Sequence, residues 1–219
     1  MSDLSAPLPD SGFDRVAAFY DPLARLVFGR SLQRAQLRAL AHLPSGAPHV
    51  LIIGGGTGWV LPELLRRCPG ARVLYLEASG QMLQRAQATL HQHCPAHLSQ
   101  VQFRVGTEAA LQPQEQFDAV LTFFFLDLFD LPRLRPLLAR LHQARRAGSP
   151  WLLADFAPPR TWWQRGMLRL MYWFFGLTTG ISGRQLPPIR AELARLGLHA
   201  GPPQYGFGGM VETVIFREA

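Results

Sequence analysis

The sequence predicts an α/β fold: one domain built on a mostly parallel sheet with helices on both faces. Three observations carry this expectation. Short aliphatic and β-branched runs alternate with longer stretches whose apolar residues recur at helical spacing. The first run, His49 to Ile53, ends abruptly in Gly54-Gly55-Gly56-Thr57-Gly58 and is followed at once by a helical pattern from Trp59 to Arg67. The length of 219 residues and the apolar content of 48% suit a single domain with an ordinary core.

The glycine stretch is the centre of the chain. Glycine has no Cβ, so a ligand can lie against the backbone, and free N–H groups at a helix start attract polar or anionic groups. Gly54, Gly56 and Gly58 give G-x-G-x-G. A dinucleotide fingerprint wants its third glycine at position 59, where Trp59 stands, and a P-loop needs a lysine, which the sequence lacks. A tight strand–helix turn with no ligand is the plain alternative for the glycines alone. Against it, a second hydrophobic run ends in Tyr75-Leu76-Glu77, about nineteen residues beyond the loop, where a carboxylate can accept both hydroxyls of a ribose.

Val50 to Gly58 resembles the first motif of class I S-adenosylmethionine-dependent methyltransferases. Leu76-Glu77-Ala78-Ser79-Gly80-Gln81-Met82-Leu83 resembles their second. The resemblance runs from about residue 13 to the C-terminus and is nearest to the small-molecule group that includes the ubiquinone/menaquinone C-methyltransferases. It implies a Rossmann-like, seven-stranded, mostly parallel sheet with helices on both faces and an antiparallel last strand, and S-adenosyl-L-methionine as cofactor. By this resemblance Gly54, Gly55, Gly56, Thr57 and Gly58 face the methionine part, Glu77 holds the ribose, and Ala78 and Met82 flank the adenine. Two positions depart from the family. Ile52 stands where an acid usually precedes the glycines. Gly106-Thr107-Glu108 replaces the usual Gly-Asp-Ala, whose Asp bonds the adenine amino group; Thr107 can still accept a hydrogen bond, with Glu108 placed to deputise.

In chain order, residues 1 to about 11 read as frayed. Phe13 to Asp21 reads as a helix, and the resemblance makes it a cover over the cofactor, with Tyr20 either a lid residue or a core aromatic. A longer amphipathic helix, about Leu26 to Leu43, turns Leu26, Leu37, Leu40 and Leu43 inward. After the first strand and its helix come a second strand, Arg72 to Glu77, and a helix from Ser79, its cap, to about His91. The third strand is Val101 to Val105. The fourth, Phe117 to Phe123, points its carboxyl end, with Thr122, toward the methyl-transfer site, because ligands in open α/β sheets bind beyond the strand ends. Four phenylalanines, Phe123, Phe124, Phe125 and Phe129, crowd the loop that follows, and Asp130 caps the next helix, Leu131 to Arg146. The fifth strand is Trp151 to Phe156; its Asp155 is either an acid at the active-site mouth, as the resemblance implies, or a cap for the following loop. Thr161 to Gly176 is an amphipathic aromatic stretch, with Arg165, Arg169 and Tyr172 on one side and Trp163, Met167, Leu170 and Phe174 on another. Pro187 and Pro188 open a helix to about Leu196, and two strands, at 197–199 and 210–217, close the chain. The expected division is a helical cap at 1–45, a cofactor-binding core at 46–156, an aromatic lid or substrate insertion at 157–190, and a last helix and strand pair at 191–219.

All 22 basic residues are arginine, and against 15 acids the net charge is +7. Such basicity can serve nucleic acid or an anionic membrane, but the arginines are scattered at helical spacing rather than blocked, which reads as a solvated surface. Cys68 and Cys94 make no disulfide framework. The His91 to His97 cluster has no second half elsewhere and reads as a polar loop rather than zinc. No signal peptide and no run of about 18 apolar residues is apparent, so a cytoplasmic location is expected.

The function expected is methyl transfer to a small, apolar or aromatic acceptor by in-line displacement at the cofactor's sulfonium. Phe123, Phe124, Trp163 and Met167 are the candidate acceptor pocket, and Asp127, Asp155 and Tyr20 are candidates for a general base. Asp127, Asp130 and Asp155 are placed to meet, but no metal is expected. The partners expected are a small-molecule acceptor, peripheral membrane contact through the aromatic helix, and no nucleic acid, in a monomer or homodimer. A cofactor-binding protein without activity and an RNA methyltransferase are the alternatives.

Overall fold

The computed structural model describes residues 28–169 and 186–218. The expected helix around Tyr20 and the aromatic stretch beyond residue 169 lie outside these.

Strands β1 (His49–Ile53), β2 (Arg72–Glu77), β3 (Val101–Val105), β4 (Ala119–Phe123) and β5 (Trp151–Phe156) run parallel in the order 3-2-1-4-5. β8 (Val211–Glu218) lies antiparallel beside β5, with Asp155 opposite Glu212 and Phe156 opposite Val211. Two short strands, β6 (Leu198–Ala200) and β7 (Gln204–Gly206), pair with the outer edge of β8. Among the described residues this is a Rossmann-like α/β sheet with eight strands, one more than the seven expected. The additional strand, β7, is three residues between Pro202-Pro203 and Gly208-Gly209, too short and too punctuated by turn formers to carry a hydrophobic period.

Strand residues alternate between two cores. Val50, Ile52, Tyr75, Leu121, Leu152 and Val211 face one side. Helices α1 (Ser31–Leu40), α2 (Val60–Arg67) and α3 (Gly80–His93) cover it. Leu51, Ile53, Leu74, Val120, Trp151 and Phe216 face the other, under α4 (Leu131–Ala144) and, after a helix α5 over residues 162–169, α6 (Ile189–Ala194). Burial on both faces is why the parallel strands read as unbroken hydrophobic runs. α1 is shorter than the expected helix: its innermost residues are Ala35, Ala39 and Leu40, while Leu37 and Leu43 are only partly buried. Phe117 does not open β4; it makes an isolated bridge to Arg145.

Two caps fall where expected. Ser79 Oγ accepts from Met82 N–H at 3.1 Å, and Asp130 Oδ1 accepts from Arg133 N–H at 3.1 Å. They fix the starts of α3 and α4 beside the carboxyl ends of β2 and β4, which is the rim where the glycine loop lies.

Candidate functional site

The loop after β1 is built by close approach. Gly54, Gly56 and Gly58 have φ of +66°, +62° and +78°, a region that side-chain-bearing residues rarely adopt. A Cβ at Gly54 would stand 2.1 Å from the Phe125 ring, one at Gly55 2.4 Å from the Tyr75 hydroxyl, and one at Gly58 2.6 Å from Ala86 Cβ. At Gly56 no described atom comes within 4 Å. Three glycines therefore serve packing, and the fourth borders open space.

Two side chains of β2 hold the Gly56 peptides. Tyr75 Oη donates to Gly56 O at 2.9 Å, and Gly56 N–H donates to Glu77 Oε2 at 3.0 Å. Glu77 Oε1 also accepts from Ser79 N–H at 3.1 Å. An ionised carboxylate accepts about four hydrogen bonds, so one group can serve both loop and ligand. Thr57 O accepts from Thr89 Oγ1 at 2.9 Å, tying the loop to α3. Ala78 is half-buried and Met82 buried at the start of α3, on the same rim as Glu77. The contribution of Tyr75 is not visible in the sequence, where it is one more apolar strand residue.

Three expected cofactor residues have partners within the fold. Thr107 Oγ1 caps the 3-10 turn Glu108–Ala110, accepting from Ala109 N–H at 3.4 Å. Both oxygens of Glu108 are clasped by Arg133 of α4, at 2.5 and 2.8 Å. Thr122 does not face the loop: strand alternation turns it into the second core, where Oγ1 accepts from the buried Trp151 indole N–H at 2.9 Å. Ile52, in place of the family's acid, is a core residue 1% exposed.

The aromatic loop divides between the two faces. Phe124 has φ of +52°, unusual for so bulky a residue, and its N–H donates to Ala154 O at 2.8 Å, extending the β4–β5 pairing by one bond. Phe123 and Phe124 fall on the α1 side, where a run of rings joins Phe124 to Phe156 (5.5 Å), Phe156 to Phe28 (5.4 Å) and Phe28 to Phe207 (5.0 Å). Phe125 turns the other way, lies on Gly54, and packs edge-on against Phe129. On α5, Leu168 and the half-buried Met167 join the same core as Phe124 and Phe156, and the Trp163 ring covers Gly208. Residues from both stretches expected to form an acceptor pocket thus share one side of the rim. Phe28, Phe156 and Phe207 complete that wall; only Phe156, ending a strand, carried a signal of position.

The candidate bases are deeply placed. Asp127 is 3% exposed and Asp155 is fully buried. Asp155 Oδ1 accepts from Phe156 N–H at 2.8 Å, and its carboxyl also takes the Leu126 N–H. The two carboxyls lie against each other. Burial raises both pKa values: Asp127 to about 6, and Asp155 well above the ordinary range, where the charge of Asp127 adds to burial. Asp130 does not join them; it is the exposed cap of α4. Among the described residues no group of three potential metal ligands is found, and no helix is long and apolar enough to cross a membrane. A groove of about 690 Å³ lined by His42, Ser45, Asp118, Ser149 and Arg217 lies at the opposite end of the strands.

Residues 51–150 match the family model described as a methyltransferase domain. A search of curated proteins found no match. Among solved structures, the mitomycin 7-O-methyltransferase MmcR superposes with a TM-score of 0.70 at 24% identity, over 94% of this chain and 60% of its own. An O-methyltransferase family 2 protein from Planctomyces limnophilus, solved in complex with apigenin, gives 0.70 at 16% identity over 99% and 63%. The putative methyltransferase bound to the Trm112 activator of Haloferax volcanii gives 0.67 at 16% identity over 94% and 96%. The chain spans about three fifths of the length of the first of these. The fold is the one these solved methyltransferase structures have, and it is residues 51–150 that match the methyltransferase-domain model.

Proposed function

We propose that this chain is an S-adenosyl-L-methionine-dependent methyltransferase that acts on a small, apolar or aromatic acceptor. The observation that carries the proposal is the Gly56–Glu77 arrangement: an open glycine backbone whose amide is fixed by a carboxylate at the end of the next parallel strand. The residues fit the cofactor. Glu77 would take the ribose hydroxyls, the Gly54–Gly58 backbone would lie along the methionine part, and Ala78, Met82 and Thr107 would border the adenine.

When bound, the cofactor supplies a methyl group already activated by a sulfonium, so the chain has mainly to align two groups and exclude water. Phe124, Phe156 and Met167 would wall the acceptor at the end of β4 and β5, and such a wall favours a flat or lipid-like molecule over a charged metabolite. Asp127 and Asp155, enclosed in the second core, serve this alignment better than proton abstraction. The fold neighbours named O-methyltransferases suit an oxygen acceptor, while the resemblance to ubiquinone/menaquinone C-methyltransferases suits a ring carbon. The test is turnover of labelled cofactor with a panel of phenolic and quinone-like acceptors. No transfer to any, with the cofactor bound, would leave a binding protein of the same fold.

A peripheral membrane role has one specific observation in its favour. Trp162 is 83% exposed on α5, with Arg165 and Arg169 along the same outward stripe. Flotation with anionic but not neutral liposomes is the expected result.

A further inference from the structure

The buried acids at the carboxyl ends of the strands leave an accounting problem. Among buried side-chain oxygens of the described residues, Asp127 Oδ1 and Asp155 Oδ2 have no donor. One belongs to each member of a pair whose carboxyls meet. Two ionised carboxylates in contact would have no donor for either atom and would repel; one proton between them satisfies both at once. The remaining Asp155 contacts are with backbone: Phe156 N–H at the end of β5 and Leu126 N–H at the start of the turn Leu126–Leu128. Asp127 lies in that same turn. The pair therefore joins β5 to the segment that leaves β4, and that segment carries Phe124, with its left-handed φ, and Phe125, which lies on Gly54.

We propose that Asp127 and Asp155 are positioning residues: a proton held between Asp127 Oδ1 and Asp155 Oδ2 latches the β4–α4 turn onto β5, seating Phe125 on the glycine loop, and its loss releases that ring. The proposal deepens the methyltransferase reading, on which its cofactor arm rests, by giving the site a pH dependence.

The neighbouring charges do not supply another latch. Glu212 of β8 is the cross-strand partner of Asp155, but its buried carboxylate is gripped by Nε and Nη2 of Arg190 from α6, which also reaches the Tyr205 hydroxyl at 3.4 Å. Arg133 and Asp130 at the start of α4 are occupied by Glu108 and by the helix cap. The sign follows. Both pair members have folded-state pKa values above the ordinary 3.8, so the folded turn holds protons that the unfolded chain has lost. The Asp127 step at about pH 6 leaves the pair its one shared proton, so the latch persists through it and is lost as pH rises through the higher step, where Asp155 gives up the last proton.

The test uses the whole chain in two measurements. Carboxyl-carbon NMR of labelled aspartates, assigned with Asp127→Asn and Asp155→Asn, should show two resonances that keep a proton well above the range of the others. Two resonances already ionised at pH 5 overturn the proposal, whether or not any cofactor binds. Calorimetry with S-adenosyl-L-methionine from pH 6 to 9 should show wild-type affinity falling, by at most about tenfold per pH unit for one linked proton. Asp155→Asn, whose amide keeps a donor toward Asp127, should match wild type at pH 6 and hold that affinity to pH 9. An unchanged slope in Asp155→Asn overturns the latch. If that variant does not fold, exchange of the Leu126 amide in wild type decides: accelerated exchange above neutral pH beyond the intrinsic rate supports the latch, and unchanged protection refutes it. Failure to bind cofactor at any pH would defeat the methyltransferase reading alone, since the NMR and exchange arms do not depend on it.

Discussion

The Gly56 amide donates to the Glu77 carboxylate across 3.0 Å, joining the loop after β1 to the last residue of β2. This bond makes the ligand-facing glycine and the ribose-facing acid one unit. The same unit is seated from the other side by the Tyr75 hydroxyl on Gly56 O. A substitution in the loop therefore acts on fold or on ligand according to which glycine it strikes.

Gly58→Ala should act on the fold. Its Cβ would meet Ala86 Cβ at 2.6 Å and Ala86 Cα at 2.7 Å, with φ at +78°. A cost of about 1–3 kcal/mol is expected, enough to lower Tm by several degrees in thermal melting. Gly56→Ala meets no described atom within 4 Å and pays mainly for its φ of +62°, about 1–2 kcal/mol, but its methyl points into the ligand space. Calorimetry should find the larger loss of cofactor affinity in Gly56→Ala, and melting the larger loss of stability in Gly58→Ala.

The turn after β3 separates a cap from a clasp. Thr107→Asp should keep the cap, since Asp is a good N-cap, and should leave cofactor affinity equal or better by restoring the family's acid. Arg133→Ala should destabilise by about 1–3 kcal/mol, toward the lower end because Arg133 opens to solvent, by leaving the nearly buried Glu108 without its partner. A large loss of cofactor affinity in Thr107→Asp would place the adenine elsewhere.

At the aromatic wall, Trp163→Ala and Phe124→Ala should weaken acceptor turnover while leaving cofactor affinity nearly unchanged. Trp163 covers Gly208 and Phe124 packs on Phe156, both away from the Glu77 side of the rim. Equal losses in cofactor affinity and turnover would assign these rings to the cofactor instead.

What the sequence made legible, and what it did not, follows from range. β1, β2, β3 and β5 lie at the expected residues because each is a short apolar run cut off by Gly, Pro or a cap. Ser79 and Asp130 were readable as caps because capping is local. The face of Thr122 was not, since a buried hydroxyl on a strand looks the same whether it meets a ligand or Trp151. The Arg133 partner of Glu108 was not legible, because it arrives from another helix. Of the three acids placed to meet, Asp127 and Asp155 do and Asp130 does not; only the backbone path after Phe124, with its positive φ, decides that.

The central claim is that Glu77 and the Gly54–Gly58 loop form one S-adenosyl-L-methionine site, and titration calorimetry of wild type beside Glu77→Ala tests it most directly. The account predicts binding by wild type and a loss of about 1.5–3 kcal/mol in Glu77→Ala, roughly ten- to a hundredfold or more in Kd, from two charge-assisted ribose hydrogen bonds and a loosened Gly56 peptide. Wild-type affinity in Glu77→Ala, in a variant that melts as a folded protein, would contradict it.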